Sequence, residues 1–437
     1  MNKISQKWGI IGGGILGMTL AHRLSEKGQD VTLFDANNQL GGLTNTWSLN
    51  GIIWDKFYHV TLLSDSYLRA LLTKLDLEKE INWVETKTGF YTGDKLYSMS
   101  NTLEFLSFPP LSLIDKLRLG STIFYASKIK NWRNLEKILV EDWLRKFSGK
   151  NNFEKMWLPL LRSKLGETYK KTSAAFIWAT IHRMYSARRS GLKKEMFGYV
   201  PGGYNRILSK FNKLLEEENV NIKTGYAAKL VERKNNNKIY VEFKNGHSDY
   251  FDQIILTIPS LFASDICPSL LEEEKNKIAG IQYLGVICAS LLLKKSLSNF
   301  YVTNITDEGY PFTGVIEMSA LVDPIYFNGN SLIYLPKYVI PEDPIFKLND
   351  EEIKNIFVPS LMKMHPSLKE EDIECFKISR AKYVFALSTL NYSEKLPSMQ
   401  TSVQGVHLIN SSHIVNGTLN VNETIQLAEN AVNKILT

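Results

Sequence analysis

Three cysteines in 437 residues, Cys267, Cys288 and Cys375, are too few and too scattered for a disulfide framework. They form no CxxC pair and no zinc spacing, so no metal is expected. No apolar run approaches the length needed to cross a bilayer; Val286–Leu293 is among the longest and is only a strand's length. The chain enters a strand-like segment almost at once, which leaves no room for a secretory leader. Internal repeats, low-complexity linkers and nucleic-acid motifs are also lacking. A secreted disulfide scaffold, a transmembrane protein and a solenoid are thereby excluded, and a reducing cytoplasm is the expected setting. Hydrophobic content of 44% and charged content of 22% are ordinary for a globular chain, which is long enough for two domains with sizeable cores.

What is present is concentrated near the start. Trp8-Gly9-Ile10-Ile11 reads as a short buried strand, followed by Gly12-Gly13-Gly14-Ile15-Leu16-Gly17. Leu16, Leu20 and Leu24 then give one apolar face to a helix over Ile15–Lys27, and Asp30–Phe34 is the second strand. In this strand–turn–helix setting Gly12 permits a tight turn and Gly14 lets a pyrophosphate approach the backbone. Gly17 lets the helix pack closely on the sheet. The helix amino terminus offers unpaired N–H groups and a partial positive charge to the phosphates. Asp35, at the end of the second strand, is placed to accept hydrogen bonds from the adenosine ribose. Gly41-Gly42, six residues further on, is not a general need of nicotinamide-nucleotide domains and selects FAD.

With these residues the chain resembles the flavin amine oxidase superfamily, which includes protoporphyrinogen oxidase, monoamine oxidase and phytoene-type desaturases and, more distantly, UDP-galactopyranose mutase. The resemblance is carried by Asp35 through Gly42 and by the turn Val200-Pro201-Gly202-Gly203-Tyr204. It continues through the paired segments Val241–Phe243 and Asp252–Pro259 and into the tail, Val406–Leu436. It implies an α/β fold: a Rossmann-like FAD domain of the GR2 type, an inserted mixed-sheet substrate domain and a basic helical part. The expected division is 1–88, 200–265 and 398–437 for the discontinuous FAD domain, 89–199 for the helical part and 266–397 for a β-rich substrate domain. A hairpin is expected around Phe90–Tyr97 with Gly93-Asp94 as its turn.

The resemblance also implies a cofactor shell. Besides Gly12, Gly14, Ile15, Leu16, Gly17, Asp35, Gly41 and Gly42, it takes in Ala36, Leu43, Thr44, Phe57, Tyr58, His59, Ala227, Ala228, Ser411, Asn420, Val421 and Asn422. His59 is the candidate proton carrier, an imidazole being the commonest acid–base group near neutral pH. Asn420 and Glu423 have the spacing of an N-cap and its partner, so a closing helix would present its positive end to the flavin. The strand lysine of amine oxidases falls at Cys288, which turns the expectation from amine oxidation toward desaturation or another hydride abstraction. No cysteine lies in the tail, so the FAD is expected to be non-covalent. A redox-neutral mutase acting on a nucleotide sugar and a non-catalytic flavoprotein are the alternatives.

Charge is uneven. Residues 116–194 carry 19 Lys and Arg against Glu136, Glu141, Asp142, Glu154 and Glu167, in a chain whose net charge is +7. Tryptophans and tyrosines interleave with these cations, Trp157 among them. The segment reads as a platform for an anionic partner: a phosphorylated or lipid-linked substrate, or the head groups of an anionic membrane on its inner face. Trp157, Arg183, Tyr185 and Arg188 are the substrate candidates, because arginines grouped around Tyr185 can grip phosphate in bidentate fashion. Substrate is preferred over membrane here, since a membrane footing would carry a more obvious exposed apolar wedge.

Overall fold

A computed structural model describes residues 5–186, 196–415 and 418–436. Its first layer is a five-stranded, wholly parallel sheet in the order Asn221–Thr224, Asp30–Asp35, Lys7–Ile11, Gln253–Leu256, Val406–Leu408. Parallel strands are covered on both faces, so they are runs of apolar residues rather than alternating ones. Ile10, Leu33, Ile255 and Leu256 are accordingly at 0% exposure. Helix Ile15–Glu26 packs across this sheet against the closing helix Val421–Ile435, joining the beginning of the chain to its end. A small antiparallel sheet, Ala228–Arg233, Ile239–Phe243 and Ser248–Phe251, lies beside it, with the first turn made at left-handed Asn237.

The second layer is a seven-stranded mixed sheet in the order Ile373–Ala386, Tyr283–Leu293, Ser331–Val339, Gly314–Glu317, Val302–Ile305, Thr88–Thr92, Lys95–Ser98. Only Val302–Ile305 and Thr88–Thr92 run parallel; the other pairs are antiparallel. The last two strands form the expected hairpin, and Gly93 and Asp94 both adopt positive φ at its turn. Every residue of Tyr283–Leu293 is buried, because helix Asp350–Met364 covers one face of the sheet and residues such as Leu49, Ile52, Trp54, Phe197 and Tyr199, on short strands, cover the other.

Beside the seven-stranded sheet the chain is helical. Helices Leu113–Lys128, Val140–Ser148, Leu158–Leu165 and Ala174–Ser186 surround an aromatic core that includes Trp143, Phe153, Trp157 and Trp178. The sequence reading of residues 266–397 as β-rich misses helices Glu272–Ala279 and Asp350–Met364. Asn349 and Glu352 form a reciprocal capping box at the start of helix Asp350–Met364, a sequence signal that was available.

Candidate functional site

The glycine turn is built by contacts that side chains would block. Gly12 has φ +115°, outside the range of L-residues, and its amide donates to Phe34 O at 2.8 Å. A Cβ on Gly17 would lie 1.9 Å from Gly12 O, so the first helical turn closes on the turn itself as well as on the sheet. Gly14 differs: its φ is −71°, and its Cβ would meet only Gly42 Cα, at 3.9 Å. No side chain caps helix Ile15–Glu26 and no acid occupies its first turn. That leaves a positive helix end facing open space beside Gly14.

Gly41 and Gly42 have a more local cause than clearance for a ligand. Gly41 N donates to Gly13 O at 2.8 Å, so the pair is laced onto the first turn. A Cβ on Gly41 would lie 2.7 Å from Leu208 Cδ1, one on Gly42 would lie 3.1 Å from Gly14 Cα, and both residues have positive φ. Asp35 is buried and already engaged. Oδ2 accepts from Gly13 N at 2.8 Å, and Oδ1 accepts from Asn37 N and Nδ2 at 2.7 and 2.9 Å. Each carboxylate oxygen can accept another donor. Tyr226 N donates to Asp35 O, which brings Ala227 and Ala228 alongside this strand end. Ala36 is exposed, Leu43 half-buried, and Thr44 is buried with its hydroxyl on Gly41 O.

A second cluster forms where strand Ile52–Asp55 runs out toward Phe57, Tyr58 and His59. Asp55 Oδ1 accepts from Tyr204 N at 2.9 Å, which ties this segment to the Gly202-Gly203 turn and caps helix Gly203–Glu217. Burial raises the Asp55 carboxyl, a rise opposed by His59 and by the Tyr204 amide. His59 Nδ1 lies 3.7 Å from Asp55 Oδ2, too long for a hydrogen bond, and is buried without a partner, while the ring packs on Tyr204 at 4.7 Å. Tyr58 OH pairs with Tyr338 OH at 2.7 Å, and burial pushes the Tyr58 phenol up to about 12. Cys288 lies in strand Tyr283–Leu293 at 0% exposure, paired in register with Pro336 and Ser379. Burial pushes its thiol up, so it remains protonated.

The tail contributes a third group. Asn420 Oδ1 accepts from Glu423 N at 3.0 Å as the N-cap of helix Val421–Ile435. The reciprocal contact of a capping box is not made: burial raises the Glu423 carboxyl, a rise opposed by Arg183 and by neighbouring Asn422. Asn422 Oδ1 in turn accepts from Tyr67 N and Leu68 N at 2.9 and 3.2 Å, so this side chain caps helix Ser66–Lys74. What Asn420, Val421 and Asn422 offer a ligand is their backbone. Ser411 lines a cavity of about 10 Å³ with Phe176, Phe385, Ile414, Thr418 and Leu419, room for one water. Asn416 and Gly417, between Ser411 and this helix, lie outside the described residues.

Residues 17–436 match the family described as flavin containing amine oxidoreductase. The chain belongs to that family. Its cofactor is FAD. Among curated relatives it is 26% identical over 251 residues to 4,4'-diaponeurosporene oxygenase of Staphylococcus haemolyticus, a match covering 49% of this chain and 48% of that protein. The chain thus spans about half the length of this relative. Among solved structures, an oxidoreductase from Methanosarcina mazei aligns over 98% of this chain and 100% of its own, with a TM-score of 0.76 and 17% identity. Reduced UDP-galactopyranose mutase aligns over 99% of this chain and 96% of its own, with a TM-score of 0.75 and 16% identity. These two likenesses establish a shared fold.

The residues present fit a flavin dinucleotide. The space beside Gly14 is one a Cβ would fill, the adjoining helix end carries no side-chain cap, and His59 Nδ1 is a buried nitrogen with no partner. The substrate candidates of this flavoprotein are dispersed. Trp157 is 9% exposed and donates to Ser148 Oγ inside the helical core. Arg183 donates through Nη2 to both oxygens of buried Asp65, at 3.3 and 3.1 Å, and Tyr185 is 38% exposed. Arg188 lies outside the described residues. Sequence reasoning passed over Asp55, Tyr338 and Lys164, because each acquires its setting only from residues far along the chain.

Proposed function

We propose that this flavoprotein removes a hydride from a carbon centre of a bulky, lipid-borne substrate, in an oxidation of the desaturation type. The observation that carries the reading is the neutral, buried Cys288 thiol at the position where an amine oxidase would hold lysine. Around it stand the phenols Tyr58, Tyr334 and Tyr338, all raised by burial. Such a wall is uncharged and apolar, suited to a hydrocarbon or macrocycle rather than a small cationic amine. FAD, when bound, supplies the two-electron acceptor. Gly12, Gly14, Ile15, Leu16, Gly17 and Asp35 would hold its adenosine and phosphates, Ala227 and Ala228 flanking them, and the tail backbone its far end. The tail Val406–Leu436 holds no cysteine for a thioether, and denaturation should release the flavin; flavin retained on the denatured chain would overturn non-covalent binding.

The test is anaerobic bleaching of the bound flavin. 4,4'-Diaponeurosporene carried in vesicles should bleach it and putrescine should not; bleaching by putrescine alone would defeat the reading. Turnover of UDP-galactopyranose only after dithionite reduction would point instead to the mutase alternative.

His59 is the proposed proton carrier, motivated by its unpartnered Nδ1 beside Asp55. Replacing His59 with Ala should slow flavin bleaching by about a hundredfold, the lower range of general acid–base effects, with FAD content unchanged. Loss of flavin or solubility would mark the histidine as structural.

We further propose that the helical part rests on an anionic lipid surface. Leu103, Leu113, Ile114, Leu117 and Phe124 are between 55% and 78% exposed on two neighbouring helices. Buried Lys116 ties these helices together by donating to Leu106 O. Exposed Arg118, Lys128, Lys130 and Arg133 flank the apolar stripe. This is the wedge whose lack made substrate the preferred reading of the charge, and with it present the preference reverses. Among the described residues no helix is long and apolar enough to cross a membrane, and burial of an amphipathic face at the interface needs none. The double variant Ile114→Glu, Leu117→Glu should lose most sedimentation with phosphatidylserine vesicles while retaining FAD. Unchanged sedimentation would remove the proposal.

A further inference from the structure

Lys164 lies on helix Leu158–Leu165, which packs against strand Ser331–Val339 of the large sheet. Its Nζ sits 3.3 Å from the centroid of the Tyr338 ring and 5.9 Å from that of Phe385. Neither hydrogen bond nor ion pair engages it among the described residues, although Arg162 two residues earlier pairs with Glu167 and Glu308. Tyr338 leads through its hydroxyl to Tyr58, beside His59. Phe385 stacks on Phe176, and both line the small cavity that also holds Ser411 and Ile414. An amine with no counter-ion among the described residues therefore stands against Tyr338, between the Tyr58–Tyr338 pair and Phe385 at the edge of that small cavity.

We propose that Lys164 is the general base of this site, entering from the helical part in place of the strand lysine that Cys288 replaces. The proposal rests on the hydride-abstracting function above. In that reaction a substrate CH–CH unit loses one hydride, with its electron pair, to the bound flavin. It loses one proton from the neighbouring carbon to the lone pair of Lys164 Nζ, and a carbon–carbon double bond remains. The amine becomes ammonium and later returns the proton to solvent.

Burial brings this amine down to about 7, against the attraction of the Tyr338 ring for an ammonium, so at neutral pH it holds its proton only in part. The titratable groups nearest it are Tyr338 and, through it, Tyr58, with Cys288 on the adjoining strand, all raised and neutral at pH 7. On the flanking segments Phe153–Trp157 and Gly166–Lys171, Glu154 and Glu167 are taken up by Arg145, Arg162 and Lys170, with Lys155, Tyr169 and Lys171 completing the set. Lys337, next along the strand, points to the opposite face. No carboxylate contributes to the Lys164 shift. The sign for stability follows. The unfolded chain holds this proton up to about pH 10, the ordinary lysine range, whereas the folded chain releases it near 7. Stability therefore rises with pH across that window, and removing the amine should raise Tm at pH 7. A lysine kept for structure would do the reverse.

The experiment uses the FAD-loaded protein and the variants Lys164→Met and Lys164→Arg. After reductive methylation with carbon-13 formaldehyde, the resonance missing from Lys164→Met should titrate near pH 7. Titration in the ordinary lysine range would overturn the proposal, whatever the substrate. Anaerobic bleaching by vesicle-borne 4,4'-diaponeurosporene should rise with pH through the same midpoint in the wild type. It should be at least about a hundredfold slower in both variants with flavin content preserved, while Tm rises in Lys164→Met and falls in Lys164→Arg, whose guanidinium cannot shed its charge. Equal bleaching in wild type and Lys164→Met also overturns it. If the wild type is not bleached at all, the functional reading fails on its own, and the titration and the direction of the Tm change still decide the state of Lys164.

Discussion

Gly14→Val should yield a folded protein that has lost its flavin. Gly14 has φ −71°, a conformation open to any residue, and its Cβ would meet nothing closer than Gly42 Cα at 3.9 Å. The protein alone therefore tolerates a side chain there. The space it would fill is the cradle beside the uncapped amino terminus of helix Ile15–Glu26, where pyrophosphate would sit. An overpacking penalty of about 3 kcal/mol corresponds to roughly a hundredfold weaker binding. Flavin per protein after purification, with the circular dichroism spectrum as a control, reads the outcome. Full flavin content in the variant would show that the dinucleotide lies elsewhere. The same substitution at Gly17 is no such test, because its Cβ would collide with Gly12 O at 1.9 Å and break the turn.

The second large effect is expected at Arg183, and it is one of stability. Arg183 Nη2 reaches both oxygens of Asp65, whose side chain is 3% exposed and whose Oδ2 also accepts from Leu62 N at 2.9 Å. The positive charge additionally holds down the Glu423 carboxyl at the start of the closing helix, against the rise that burial causes. Arg183→Ala would leave a buried carboxylate with no cation. Breaking a buried pair from one side typically costs about 3–5 kcal/mol, and the 26% exposure of the arginine side chain places this case at the lower end, near 3 kcal/mol. Denaturant unfolding should show that loss, with partial recovery in the double variant Arg183→Ala, Asp65→Asn. An unchanged midpoint together with a raised KM would restore Arg183 to the substrate entrance.

Both expectations depend on how far apart in sequence the partners are. The glycine turn was legible because its requirements are local: a positive φ at Gly12, a close approach at Gly17 and an acid within the same strand–helix–strand unit. The parallel strands were legible for a similar reason, since burial on both faces writes itself as a short apolar run. The roles of particular polar residues were not. Asp55 meets Tyr204 across 149 positions, and Asn422 caps a helix 355 positions away. Nothing in the neighbourhood of either residue announces the partner. Helix Asp350–Met364 is the converse case: its capping box was visible, but surrounding β-rich segments outweighed it.

The charged helical part divides the two kinds of knowledge most sharply. Its excess of cations can be counted from the sequence, and so can the leucines and aromatics among them. Which of these face water cannot be counted, because periodicity places residues on helix faces without saying which face another element covers. Folding leaves Ile114 and Leu117 exposed among solvated cations, commits Arg183 to Asp65, and turns Lys164 inward onto Tyr338. By itself the sequence determined a parallel dinucleotide-binding layer and its glycine cradle, whose physics lies within a few dozen residues. The tertiary structure alone decided which charges are paired, which are solvated and which amines, Lys164 among them, are desolvated, because dielectric environment is a property of what packs around a group and not of its neighbours along the chain.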